Sequence, residues 1–341
     1  MSRKSKTILF LVGFAIFVYL VLDFGIDNIL VNFQKTGWYF VPVVGVWAVV
    51  YLFNAFAWRL VIGNSSNQIS FGKIITITIS GFALNYITPS LAIGGEPYRV
   101  AELKEPLGTS RAVSVTLLYT MIHILSSFVF WMVVILFALV MIPLTAATKI
   151  TLVITLIVFS PVVYFFISRH KKGFAKSLLN ITLKIPIIKK LAAPLSGKAN
   201  SLQKVDDQIT ELYLKRKRDF FLALFWEIFA RIAGSLENLF ILKAIGIDIN
   251  FAEALYISAV STFILNIFFF MPMELGSREG GLALALKTIG IAPSLGIYLG
   301  LVNRIRELFW ILIGLILITL SGKKIRKELV TETSYEKSTL V

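Results

Sequence analysis

Charged side chains interrupt the apolar stretches of this sequence at few places, and there they come in sets suited to gripping a charged group. Glu96 and Arg99 stand three apart, Glu227 and Arg231 four apart, and Arg278 and Glu279 are adjacent. An arginine holds a phosphate through two parallel N–H groups. A glutamate in the same place pairs with that arginine, meets a cationic headgroup or carries a proton. Asn85 and Asn266 supply neutral polar groups shortly before two of these sets. The chemistry on offer is recognition of a phosphate-bearing group.

Glu227 and Arg231 share one helical face, which Gly234 and Asn238 continue, with Glu237 in the same span. A charge at mid-bilayer costs about 2.5–3.5 kcal/mol on insertion scales, so this stripe is expected to face a wet interior. A structural ion pair joining two helices is the competing role. Thr116, Tyr119, Thr120, His123 and Ser127 form a second polar stripe. Its histidine reads as a hydrogen-bonded packing residue rather than a proton carrier. Near the start of a later span, Glu307 shares a face with Asn303 and Arg304, while Arg306 faces elsewhere and is expected to snorkel.

Positioning these groups falls to apolar helices. The chain has 341 residues, 57% hydrophobic and 16% charged, with a formal net charge of +15 and a mean hydropathy of +0.81. Soluble domains run nearer half apolar and a quarter charged, so the sequence reads as an all-α polytopic membrane protein, one integral membrane domain over 1–341. Apolar spans interrupt the basic excess throughout, which argues against nucleic acid as a partner. There is no cysteine and only two histidines, His123 and His170, so a thiolate nucleophile and a His-rich metal centre are both excluded. Arg3-Lys4-Ser5-Lys6 and the apolar run that follows lack a small-residue cleavage site and read as an uncleaved first helix.

Full spans are expected near 7–24, 38–62, 111–141, 149–168, 219–245 and 299–321. Between the fourth and fifth, segment 169–218 carries thirteen Lys and Arg against three acids. That makes it a basic cytoplasmic surface loop lying on the leaflet, with both termini also cytoplasmic in a cell inner membrane. This orientation leaves two apolar stretches, 73–93 and 252–272, that cannot be single crossings. Each then reads as a re-entrant segment, entered from opposite faces.

The two segments also resemble each other. Phe82-x-Leu84-Asn85 is matched by Phe263-x-Leu265-Asn266, and a proline precedes a glutamate by seven in each, Pro89 to Glu96 and Pro272 to Glu279. Gly94 and Gly95 touch the first glutamate and Gly280 and Gly281 the second, so these four glycines and the two prolines are hinge candidates. Units 38–141 and 219–321 therefore read as an inverted-topology repeat, about six spans plus two re-entrant segments. Two proline kinks in ordinary spans are the competing reading. There is no phosphate-binding loop for an ATPase, no zinc-protease, hydrolase or kinase motif, and no cofactor signature. An enzyme is not expected.

Gly94-Gly95-Glu96-Pro97-x-Arg99, followed by Gly108-x-Ser110 and a long span, resembles the lysylphosphatidylglycerol synthase transmembrane-region family. Pro272, Glu279-Gly280-Gly281 and Gly290 match its other polar segment, and the last span with Arg304 and Arg306 is similar too. The resemblance implies a flippase-like membrane domain. Relatives known as multiple peptide resistance factors join this domain to a soluble aminoacyl-transferase and move aminoacylated phosphatidylglycerol between leaflets. No counterpart of that soluble domain is read here, so lipid aminoacylation is not implied. Where the family often has an acidic–basic pair after its first signature, this chain has Tyr119 and His123. The expected function is a lipid translocase for a polar-headgroup phospholipid or glycolipid. Its partners would be an anionic or zwitterionic membrane lipid, a separately encoded lipid-modifying enzyme and a second copy in a homo-oligomer. A membrane-embedded transferase or accessory subunit of glycolipid or aminoacyl-lipid synthesis is the alternative, and an ion channel or scaffold a third class.

Overall fold

The computed structural model describes residues 26–87, 94–168, 206–207, 210–211, 215–268, 274 and 276–338. The first expected span, most of the basic loop, and Pro89 and Pro272 lie outside the described residues. Among those described, every element is helical.

Helix α1 (Ile26–Thr36) leads through a 3-10 turn into α2 (Phe40–Ile62). The stretch between the expected spans 7–24 and 38–62 is more than a plain connection. It is helical, with Asp27 in its first turn and Lys35 in its last, where each complements the helix dipole. Helix α2 has 23 residues, about 35 Å at 1.5 Å per residue, enough to cross the hydrocarbon layer. It stops at Gly63, whose φ of 72° few side chains tolerate.

Two short helices follow, α3 (Phe71–Ile87) and α4 (Gly95–Leu107), then the long α5 (Thr109–Met141) and α6 (Ala146–Ser168). Beyond the basic loop come α7 (Lys217–Ala244), α8 (Phe251–Ile267), α9 (Ser277–Thr288) and α10 (Leu295–Ser338). With 17 residues each, α3 and α8 rise only about 25 Å, short of a full crossing. Among the described residues, three stretches suffice by length and composition to cross a membrane: Gln34–Ile62, Thr109–Met141 and Ala146–Phe166. Helices α7 and α10 have the length, at 28 and 44 residues, but carry charges in their interiors.

Helix α2 packs along α7, and these two form the centre of the molecule. Around them α3 lies on α10 and α8 on α5, while α4 packs on α3 and α5, and α9 on α8 and α10. Lipid tails are as apolar as leucine, so helices in a membrane are held by close packing. Small residues provide it here. A Cβ on Gly314 of α10 would meet that of Ala83 in α3 at 2.4 Å, and one on Gly95 would meet the Gly81 carbonyl at 2.2 Å. Helix α6 sits outermost and exposes Ile150, Ile154 and Ile157.

Candidate functional site

Helix α7 carries a polar stripe down the middle of the bundle, and a cavity of about 280 Å³ opens along it. Glu227, Arg231, Gly234, Glu237 and Asn238 all reach its wall. Opposite them stand Trp47 and Asn54 of α2, His123 of α5, and Ser258, Thr262 and Asn266 of α8. Arg278 of α9, the break residue Glu274, and Asn303, Arg306 and Glu307 of α10 close the far end.

Glu227 is fully buried. It accepts hydrogen bonds from Asn54 Nδ2 at 3.0 Å and faces His123 Nδ1 at 2.6 Å. Arg231 turns to α5 as well, donating to Ser126 Oγ at 2.9 Å and to the His123 carbonyl at 2.7 Å. Glu227 and Arg231 thus share a face of α7, but each bonds to α5 rather than to the other. His123, read from the sequence as a packing residue, is a partner of a buried carboxylate and keeps 34% of its side chain exposed.

At the other end Arg306 grips Glu237 with two bonds of 2.9 and 3.0 Å. Its guanidinium lies 3.7 Å from the centre of the Trp47 ring, whose Nε1 donates to the same carboxylate at 2.7 Å. The Asn303 amide, oriented to satisfy its neighbours, adds a bond to Glu237 at 2.9 Å. Arg306 therefore does not snorkel; it is only 2% exposed. The physical reason is that a bidentate carboxylate and an aromatic face offset its desolvation where the helices leave no path to water. Asn303, Arg306 and Glu307 form the inward face of α10. Arg304 instead pairs with Glu279 at 2.9 Å, and neither of these two reaches the cavity. Arg278 lies between Glu274 and Glu307, bonded to both.

The first break is built differently. Asn85 Oδ1 accepts from the Gly95 N–H at 2.6 Å, holding the start of α4 against the end of α3. Arg99 bonds Glu96 at 3.1 Å and is otherwise enclosed by Phe82, Tyr119 and Trp58, with ring centres 4.8 to 5.7 Å away. Phe82 and Tyr119 also stand beside His123. Asn85, Glu96, Arg99 and Tyr119 are thus behind an aromatic wall, outside the cavity lining. At the second break Glu279 accepts from the Gly276 N–H at 3.0 Å, while Asn266 bonds only within its own helix, to the Thr262 carbonyl.

Asn54, Trp47 and Glu274 belong to the site without having been singled out in the sequence. Asn54 had a signal, as the only Asn, Asp or Glu in an apolar span, and Trp47 sits two turns before it on the same face. Glu274 had none until its backbone was seen, with a φ of 56°. Across the cavity wall, Trp131 Nε1 donates to Thr262 Oγ1 at 3.1 Å. Behind that bond is an apolar recess of about 390 Å³ among α5, α6, α8 and α9, lined by Trp131, Phe159 and Phe263 among others.

No curated protein and no solved structure matches this chain. A family model described as the lysylphosphatidylglycerol synthase TM region matches residues 7–314. That match takes in both broken helix pairs and every residue of the cavity, and the chain belongs to this membrane-protein family, which is linked to lipid handling.

Proposed function

We propose that the protein is a lipid translocase that moves a polar-headgroup phospholipid or glycolipid between the leaflets of a cell inner membrane, with both termini cytoplasmic. The observation that carries this reading is the meeting of a charged cavity and an apolar recess at one shared wall, the Trp131–Thr262 bond. An amphipathic molecule needs both. The headgroup occupies the cavity, where Arg231 and Arg278 meet its phosphate, and an acyl chain lies in the recess. Among the described residues nothing accepts a hydrogen bond from Arg231 Nη1, which leaves that group for a ligand. Such a route spares the headgroup the cost of bare hydrocarbon.

The packing supports an inverted repeat as the moving part. Exchanging α2 with α7, α3 with α8, α4 with α9 and α5 with α10 keeps α2 on α7 and turns α3–α10 into α8–α5, α3–α4 into α8–α9, α4–α5 into α9–α10 and α2–α3 into α7–α8. On this reading the short pairs α3–α4 and α8–α9 are the two re-entrant segments, and the cavity lies where the units meet. The protein makes and breaks no bond of the lipid, and any modification of the headgroup falls to a separate enzyme.

The test uses proteoliposomes with a trace of headgroup-labelled phosphatidylglycerol and a membrane-impermeant quencher. The expected outcome is protein-dependent movement that falls about tenfold in Arg231→Ala, the loss of roughly 1.4 kcal/mol of binding to the moving headgroup. Wild-type vesicles no faster than empty ones, or an Arg231→Ala protein as fast as wild type, would count against the assignment.

A further inference from the structure

Four glutamates reach the cavity, and three of them have an arginine. Glu237 is held by Arg306, and Glu274 and Glu307 by Arg278. Glu227 is the exception. It is fully buried, and its partners are the Asn54 amide and the His123 ring. Arg231, one turn further on, is bonded to Ser126 and to the His123 carbonyl instead. A carboxylate taken out of water is expensive unless its charge is compensated. Beside Glu227 the flanking Arg231 supplies charge without a hydrogen bond, the bonded compensation is a proton shared with His123, and the partly exposed histidine gives that proton access to the cavity.

We infer that the His123–Glu227 pair is a proton-binding site that couples a proton gradient to lipid movement. This rests on the translocase reading and adds the energy source. In the cavity lining three arginines face four glutamates, so with His123 neutral the net charge is −1. One proton on the pair brings the lining to zero. A phosphodiester headgroup carries one negative charge, so proton and headgroup each ease the entry of the other, and linkage makes that help reciprocal. The pair takes one proton from the side where the lipid enters and releases it where the lipid leaves. One proton travels with one singly charged headgroup, and the step carries no net charge.

The surroundings of the pair leave it as the group that changes state. Arg231 and Tyr119 flank Glu227, and Arg99, held by Glu96, lies against the far side of the Tyr119 ring. Helix α2 contributes Asn54, and α3 contributes Phe82. Arginine stays charged and tyrosine neutral through the range in which a histidine titrates.

The experiment imposes a gradient of one pH unit across phosphatidylcholine vesicles holding wild-type protein and a trace of headgroup-labelled phosphatidylglycerol. The label is expected to leave the acidic side, with up to tenfold accumulation opposite, since one pH unit is 1.36 kcal/mol. An added membrane potential should leave that ratio unchanged. In His123→Gln and in Glu227→Gln the response to the gradient should vanish. Label that moves equally with and without the gradient overturns the coupling and leaves the translocase reading standing. A gradient response of wild-type size in both variants overturns the site. No protein-dependent movement at any pH overturns the translocase reading and this inference with it. A direct check needs no transport: His170→Gln leaves a single histidine, whose ring nitrogens are followed by NMR in nanodiscs. A ring that keeps one protonation state from pH 5 to 8 overturns the proposal.

Discussion

The two broken helix pairs match in sequence yet are secured by different means. At the first, between α3 and α4, a side-chain amide and two glycines bring backbone against backbone, Lys73 of α3 pairs with Glu102 of α4, and the one arginine is wrapped in aromatic rings. At the second, Gly281 of α9 lies against the Ser261 backbone of α8, while two arginines and three glutamates link α9 and the break residue Glu274 with α10, and the adjoining Arg306–Glu237 pair ties α10 to α7. Both breaks are closely packed; the first keeps its ion pairs within its own two helices, whereas those of the second reach out to α10. The same scaffold thus pairs a self-contained element with one whose fastenings extend to a third helix and are also good ligands for a phosphate or an amine.

The largest expected effect breaks the charged side. Glu237→Ala strands a buried Arg306 and should cost about 3–5 kcal/mol, whereas Glu96→Ala leaves Arg99 its aromatic cage and should cost far less. Thermal unfolding of the two variants in detergent compares them, and equal losses would erase the distinction. A smaller effect probes the close approach of backbones at the first break. A Cβ on Gly95 would clash with the Gly81 carbonyl, while one on Gly280 meets nothing within 4 Å. Gly95→Ala should then cost about 1–3 kcal/mol and Gly280→Ala nearly nothing. Smallest is the pair of matched asparagines. Asn85→Ala loses the bond to the Gly95 N–H and should cost about 1 kcal/mol. Asn266→Ala should stay within about 0.5 kcal/mol, and a larger loss there would mean that both breaks rely on their asparagines.

Much of the frame was legible in the sequence. Periodicity and charge placement marked the apolar helices, and the spacing of Glu227, Arg231, Gly234 and Asn238 marked the face of α7 that lines the cavity. Spacing along one helix, however, says nothing about what stands opposite. That is why Glu227 and Arg231, four apart, read as a pair when each in fact bonds to α5. It is also why Arg306 was assigned to the interface, since its partners Glu237 and Trp47 come from two other helices. Asn303 lies three before Arg306 and four before Glu307, so one face holds all three, and the choice of Arg304 as their companion followed an equally good spacing. Glu274 depends on a left-handed backbone position that no pattern announces.

The bonds of the cavity join residues far apart in the chain, with Asn54 and Glu227 separated by 173 positions and Trp47 and Glu237 by 190. This has a consequence for how the protein is made. Among the described residues, the three helical stretches apolar enough to enter a bilayer unaided end by residue 166, so they are synthesised before α7 and α10. Helices α7 and α10, with most of the cavity's charges, emerge later. By then Trp47, Asn54 and His123 already stand in the membrane, on helices carried in by their apolar residues. The late helices are received by hydrogen-bonding partners rather than by hydrocarbon, and the order of synthesis becomes part of what makes a charged interior affordable.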